Sequence, residues 1–230
     1  MCLKRLMSLL ICVSGGSGSG DGTFVLTIPS GRQKVWEYAF QGYTNITGVV
    51  FPNSLTTIEK YGFDGCNSIG LTSFPDSIES IGDYAFRNCT SLTLDSLPNH
   101  ITNLATQAFI GCSSLDISEI PASVEQIGTY AFRDCTSITK IKVKNGTWGT
   151  SCFNGCTSLT AVWISASCTT IGAVNALNAP FANCPTNLVI YTDATKKLSG
   201  WGTYYNRCGT SGAATATVNF NVSEAQFDAL

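Results

Sequence analysis

The sequence predicts an α/β repeat solenoid of about seven units, each 21–28 residues long, built from short strands and single helical or 3₁₀ turns. Three columns of residues carry the prediction. Phe40, Phe63, Phe86, Phe109, Phe132, Phe153 and Phe181 are separated by 23, 23, 23, 23, 21 and 28 residues. Three places after each comes Tyr43, then Cys66, Cys89, Cys112, Cys135, Cys156 and Cys184. Eleven places before the first five stand Pro29, Pro52, Pro75, Pro98 and Pro121. A unit this short cannot enclose a core, so its apolar columns must be buried against the same columns of its neighbours.

Each unit divides in the same way. Residues 72–74, 140–143, 161–164 and 188–191 read as short strands, rich in β-branched residues and bounded by Pro, Asn or Ser. The stretch GDYAFRN, 82–88, has room for one helical or 3₁₀ turn. In the earlier units the inward residues before the next proline are Leu71 and Phe74, Leu94 and Leu97, Ile117 and Ile120; from residue 140 the pairs become Ile141/Val143 and Val162/Ile164. A slip of one residue at this junction would reverse the direction of every side chain that follows. The unit at 144–164 lacks the proline and is two residues short, and the last carries an insertion, AVNALNAP at 173–180, that should bulge from the solenoid.

The strings SIESIGDYAFRNCTSL (77–92) and SVEQIGTYAFRDCTSI (123–138) resemble the BspA-like class of leucine-rich repeat, class 5, over about residues 24–208. The resemblance implies a right-handed leucine-rich-repeat solenoid. It also implies a non-enzymatic binding or adhesion role on a microbial cell or phage surface, cell-surface or secreted placement, and a protein or glycan partner on a host or neighbouring cell. The alternative is a spacer or assembly rod with no ligand of its own.

The expected organisation is a signal-like or capping segment with a Gly/Ser linker at 1–23, the solenoid at 24–192, a cap at 193–208 and a linker and tail at 209–230. A solenoid exposes an apolar cross-section at its ends, and Leu198, Trp201, Tyr204 and Tyr205 can cover the last turn. In the tail, 218–222 alternates as a strand, and Ser223 can cap a short helix bearing Glu224 and Asp228.

Composition excludes other classes. Thirteen basic against fifteen acidic residues leave no basic excess for phosphate contacts, so no nucleic-acid partner is expected. Hydrophobic residues make up 44% of the chain, too many for a disordered one. The apolar run from Leu6 to Val13 is too short to span a bilayer. His100 is the single histidine, and the cysteine column recurs every 23 residues without the close pairs that hold zinc, so no metal, cofactor or catalytic residue is expected. The column cysteines read as small buried hydrophobes. Asp64, Asp83, Asp95, Glu119 and Asp134 read as scattered solvated charges.

On stacked strands, outward side chains form rows along the axis, so recognition belongs to a column of residues. Counting seven past the Cys/Tyr column gives Val50, Ser73, Ser96, Glu119, Lys142, Trp163 and Tyr191. Its later half, Glu119, Lys142, Trp163 and Tyr191, with Lys140 and Lys144 alongside, combines exposed aromatics and cations of the kind enriched at interface hot spots. These six residues are the candidate partner-binding patch.

Overall fold

A computed structural model describes residues 22–173 and 175–230. The turns stack as a parallel β-solenoid with two lateral sheets. One has seven two-residue strands, Lys34–Val35, Thr57–Ile58, Ser80–Ile81, Asn103–Leu104, Gln126–Ile127, Thr147–Trp148 and Thr170–Ile171, all parallel. The other has five parallel strands, Glu119–Ile120, Lys140–Val143, Ala161–Ile164, Val189–Thr192 and Thr217–Asn219. A separate parallel pair, Phe24–Thr27 with Ile46–Val50, begins the second face. The seven-stranded sheet had no counterpart in the strands read from sequence, because two residues per turn are too few to show an alternating pattern.

Between the faces lie the predicted columns. Phe63, Phe86, Phe109 and Phe132 are fully buried and stack with centroids 5.4–5.6 Å apart and planes within 12°. Phe40, Phe153 and Phe181 extend the file at both ends. Where the chain turns between the sheets, every second N–H points along the axis. Tyr61, Phe63 and Gly65 donate to the carbonyls of Asp83, Ala85 and Arg87 at 3.0, 2.8 and 2.7 Å, and Tyr84, Phe86 and Asn88 repeat this one turn later. The stack thus satisfies backbone groups that a buried turn would leave unpaired.

Two left-handed positions per turn make this geometry. Tyr38, Tyr61, Tyr84, Gln107, Tyr130 and Ser151 share φ of 56–59°, and the place before the cysteine column also has positive φ. The second position is filled by Gly65, Asn88, Gly111, Asp134, Gly155 and Asn183, residue types that tolerate the conformation. They break the stretch 82–88 into single turns closed by Ala85 N–H to Gly82 and Arg87 N–H to Tyr84.

The expected strand at 72–74 does not form, whereas 140–143 and 161–164 do, and 188–191 shifts by one residue to Val189–Thr192. The reason lies in the spacing of inward residues. Leu71 with Phe74, Leu94 with Leu97, and Ile117 with Ile120 point inward three apart, which a pleated strand with period two cannot accommodate, and the third of these units keeps only the two-residue strand Glu119–Ile120. Ile141/Val143 and Val162/Ile164 are two apart and give regular strands, all four fully buried.

At the C-terminal end Trp201, 1% exposed, bridges to Ile171 and donates from Nε1 to the Cys168 carbonyl at 2.7 Å, with Tyr205 tilted against it at 5.3 Å. The insertion forms a 3₁₀ turn, Ala176–Asn178, capped by Asn175. The ladder resumes directly beyond it, with Ser151, Phe153 and Gly155 donating to Asn178, Pro180 and Ala182. The expected signal-like or capping segment lies outside the described residues, apart from its last two.

Candidate functional site

The row read from sequence is in register. Glu119 pairs with Lys142, Lys142 with Trp163, Trp163 with Tyr191, and Tyr191 with Asn219 of the added strand. The repeat keeps equivalent residues directly above one another even across the 21-residue unit. The structure therefore brings Glu119, Lys140, Lys142, Lys144, Trp163 and Tyr191 together on one face.

The sequence reading expected this face to be exposed; instead the chain's own C-terminal segment lies on it. Thr217–Asn219 adds in parallel to Val189–Thr192, extending the sheet at its edge. Asn221 and Val222 continue the pairing by donating to Ala194 and Thr192. Asn221 takes a left-handed φ of 59°, and beyond it the chain turns back over the sheet as a helix, Glu224–Asp228. Ser223 starts this helix with a capping box: its hydroxyl accepts from Gln226 N–H, and the Gln226 side chain accepts from Ser223 N–H.

Each residue of the patch meets a group of the tail or of its own row. Trp163 Nε1–H donates to the Val222 carbonyl at 2.9 Å, and the residue is 4% exposed. Tyr191 meets the Phe227 ring at 5.4 Å, and Phe227 is itself buried. Lys140 Nζ donates to the Phe227 carbonyl at 3.2 Å and lies 4.8 Å over its ring. Lys142 Nζ reaches Glu224 at 3.0 Å, Asp228 at 3.1 Å and Glu119 at 3.5 Å. Lys144 Nζ lies 3.0 Å from both Glu119 and Glu224.

The charges tune one another. Partial burial alone would lower the Lys142 ammonium, but hydrogen bonds to Glu224 and Asp228 outweigh it and push it up to about 12. Lys144 is raised chiefly by Glu119. Glu224 is held below the ordinary carboxylate value, first by its hydrogen bond from Lys142. Five of the eight ion pairs among the described residues sit at this seam, in a chain with only 12% charged residues. Charge is thus concentrated where the tail meets the sheet.

Elsewhere the structure adds what the sequence reading missed. Asp64 is not a solvated charge. It is 4% exposed beneath Arg87, which donates from Nε and Nη2 at 2.7 and 2.8 Å, while Gln41 donates at 2.8 Å. Residues 41, 64 and 87 are 23 apart and occupy one column, so opposite charges at the repeat interval were the available signal. Arg87 also lies 5.4 Å from the ring centroids of both Tyr61 and Tyr84.

The column thiols do more than fill space. Cys66, Cys89, Cys112, Cys135, Cys156 and Cys184 donate from Sγ to the carbonyls of Phe40, Phe63, Phe86, Phe109, Phe132 and Phe153 at 2.9–3.2 Å. The nine described cysteines are all unpaired and buried. Burial pushes the thiols of Cys66, Cys168 and Cys184 up to about 12 and raises the others as well, which suppresses thiolate chemistry. No three His, Cys, Asp or Glu among the described residues converge to hold a metal ion. No helix among them is long and apolar enough to cross a membrane.

Stacked units of this template, with their Phe file and thiol ladder, define a repeat solenoid of the leucine-rich class. The family profile described as BspA type Leucine rich repeat region matches residues 24–139 and 96–201 in six copies, and the chain belongs to that family. Among solved structures, it is similar to a leucine-rich repeat protein of T. pallidum, with 29% identity, a TM-score of 0.55, and coverage of 61% of this chain and 69% of that one. It also shares its fold with a leucine-rich repeat protein from Bacteroides ovatus, with 22% identity, a TM-score of 0.52, and coverage of 80% of this chain and 55% of that one. None of the curated proteins matches the chain.

Proposed function

We propose that the protein is a non-enzymatic leucine-rich-repeat binding module, placed on a microbial cell or phage surface or secreted, whose long-strand face engages a protein partner through Glu119, Lys140, Lys142, Lys144, Trp163 and Tyr191. The observation that carries this reading is the seated tail. The sheet takes an added strand at its edge, and its face donates an indole hydrogen bond to a peptide segment and receives an aromatic contact and paired carboxylates from it. These are recurring modes of peptide recognition, with main-chain pairing at a sheet edge for affinity and side-chain contacts for specificity. A protein partner fits these groups better than a glycan does.

The test is an array of defined host proteins and glycans probed with the wild type, with Glu224→Lys/Asp228→Lys, and with that double variant carrying Trp163→Ala. The expected result is a protein ligand bound by the double variant and lost with Trp163. Binding independent of Trp163, or confined to glycans, contradicts the reading.

A rod that assembles end to end is the second reading. It is favoured by Val25, Trp36, Tyr38 and Val50, large apolar residues exposed on the first two turns. Sedimentation at high concentration separates the two, because a monodisperse monomer removes the rod.

A further inference from the structure

Resting on the reading that the long-strand face binds protein, we infer that its ligands are acidic amphipathic peptide segments, and that residues 223–228 are a tethered occupant which such a segment must displace. The tail supplies the description of the ligand: carboxylates at the first and fifth helical positions and an aromatic at the fourth, Glu224, Asp228 and Phe227. The face supplies the complement: the three lysines Lys140, Lys142 and Lys144, the Tyr191 ring and the Trp163 indole N–H.

Three features separate this seam from a fixed part of the core. The helix is five residues long, too short to persist without its dock. Its attachment is rich in ion pairs, which salt weakens, whereas the repeat columns beneath are apolar and fully buried. The strand at Thr217–Asn219 anchors the segment, and Asn221, in its left-handed conformation, stands between anchor and helix as a hinge. The helix can therefore leave the face while the strand stays paired. The helix covers Lys140, Lys142 and Tyr191, and the Val222 carbonyl just before it holds Trp163, so release from Val222 onward, which also breaks its N–H bond to Thr192, uncovers the row without dismantling the solenoid.

Tethering gives the tail an effective concentration on the order of millimolar, so a free peptide at lower concentration competes poorly until the tail is weakened. The experiment uses the full chain and a synthetic peptide of residues 217–230, titrated while the Trp163 indole ¹H–¹⁵N resonance is followed by NMR. The expected result is that Glu224→Lys/Asp228→Lys binds the peptide at least about tenfold more tightly than the wild type. Raising the salt should reverse the gain. A peptide carrying lysine at both carboxylate positions should not bind the double variant, and adding Lys142→Glu to that variant should restore the docked tail, seen as the return of the wild-type Trp163 indole shift.

Equal binding of the acidic and charge-reversed peptides by the double variant, or of the acidic peptide by wild type and double variant, overturns the inference. A thermal melt confirms that each variant retains the solenoid, and Phe227→Ser serves as a second release variant that leaves all charges in place. If the double variant ignores the peptide yet retains a Trp163-dependent protein ligand on the array, the inference fails and the functional reading stands. If it binds the peptide while the array yields no protein, the reading fails and the peptide chemistry stands.

Discussion

The repeat stack and the tail seam are joined in one molecule but are held by opposite materials. The stack relies on contacts between residues 23 apart: coplanar Phe rings, thiols donating to carbonyls one turn away, and axial N–H···O=C ladders, almost all removed from water. The seam relies on residues 36–87 apart, joined by three ion pairs across it, an indole hydrogen bond and one buried ring. The first should be insensitive to salt and cooperative from turn to turn; the second should be screened by salt and, on the inference above, open independently of the stack. The difference separates the repeat fold from the face proposed for recognition. A solenoid's stability is a sum of units and their interfaces, and the tail, which repeats none of the columns, should contribute little to that sum.

The comparison breaks most directly at the middle of the Phe file. Phe109→Ala leaves a cavity between two fully buried rings and should cost about 3–5 kcal/mol, read as a lowered urea midpoint. Next comes the thiol ladder. Cys112→Ala removes a buried sulfur and its donation to the Phe86 carbonyl and should cost about 1–2 kcal/mol, while native Cys112 should stay unreactive to thiol reagents until the chain unfolds. A melt unmoved by either substitution would show that the columns do not hold the stack.

Smaller effects sharpen the seam. Phe227→Ala should leave the main thermal transition within about 1 kcal/mol of the wild type, because an exposed five-residue helix is lost locally and not with the stack. Amides of 222–228 should nevertheless exchange far faster. Raising the ionic strength from about 0.1 M to about 1 M shortens the screening length from about 10 Å to about 3 Å and should produce a weaker version of the same change.

The pH dependence follows from the same charges. Glu224 is depressed in the docked state, first by Lys142, so its contribution is complete above the free carboxylate value and is lost as pH falls through the depressed one. Lys142 is raised to about 12, so its contribution is complete below the free lysine value and is lost as pH rises through about 12. Asp228, Glu119, Lys144 and Lys140 share the same surroundings. The tail should hold across neutrality and release in acid, with the Trp163 indole shift as the readout.

The sequence made the repeat legible because a 23-residue interval forces each column to meet itself. It also placed Glu119, Lys142, Trp163 and Tyr191 in one row, since the register is inherited from the columns. It did not reveal what covers that row. The tail follows no repeat, and nothing in a strand-like stretch and a capped helix tells where they dock, so Trp163 read as exposed. The missing strand at 72–74 had a visible cause in the three-residue spacing of Leu71 and Phe74. The buried Asp64 and Arg87 pair was visible only to a search for opposite charges one repeat apart.

Hydrogen exchange followed by NMR, on the wild type and on Glu224→Lys/Asp228→Lys, weighs the two regions against each other in a single measurement. The inferred release predicts that the double variant loses protection at the Trp163 indole and across 222–228, while the amides of Phe63, Phe86, Phe109 and Phe132 exchange as slowly as in the wild type. Loss of protection in both regions together, or in neither, would contradict the division between stack and seam on which the proposed binding face depends.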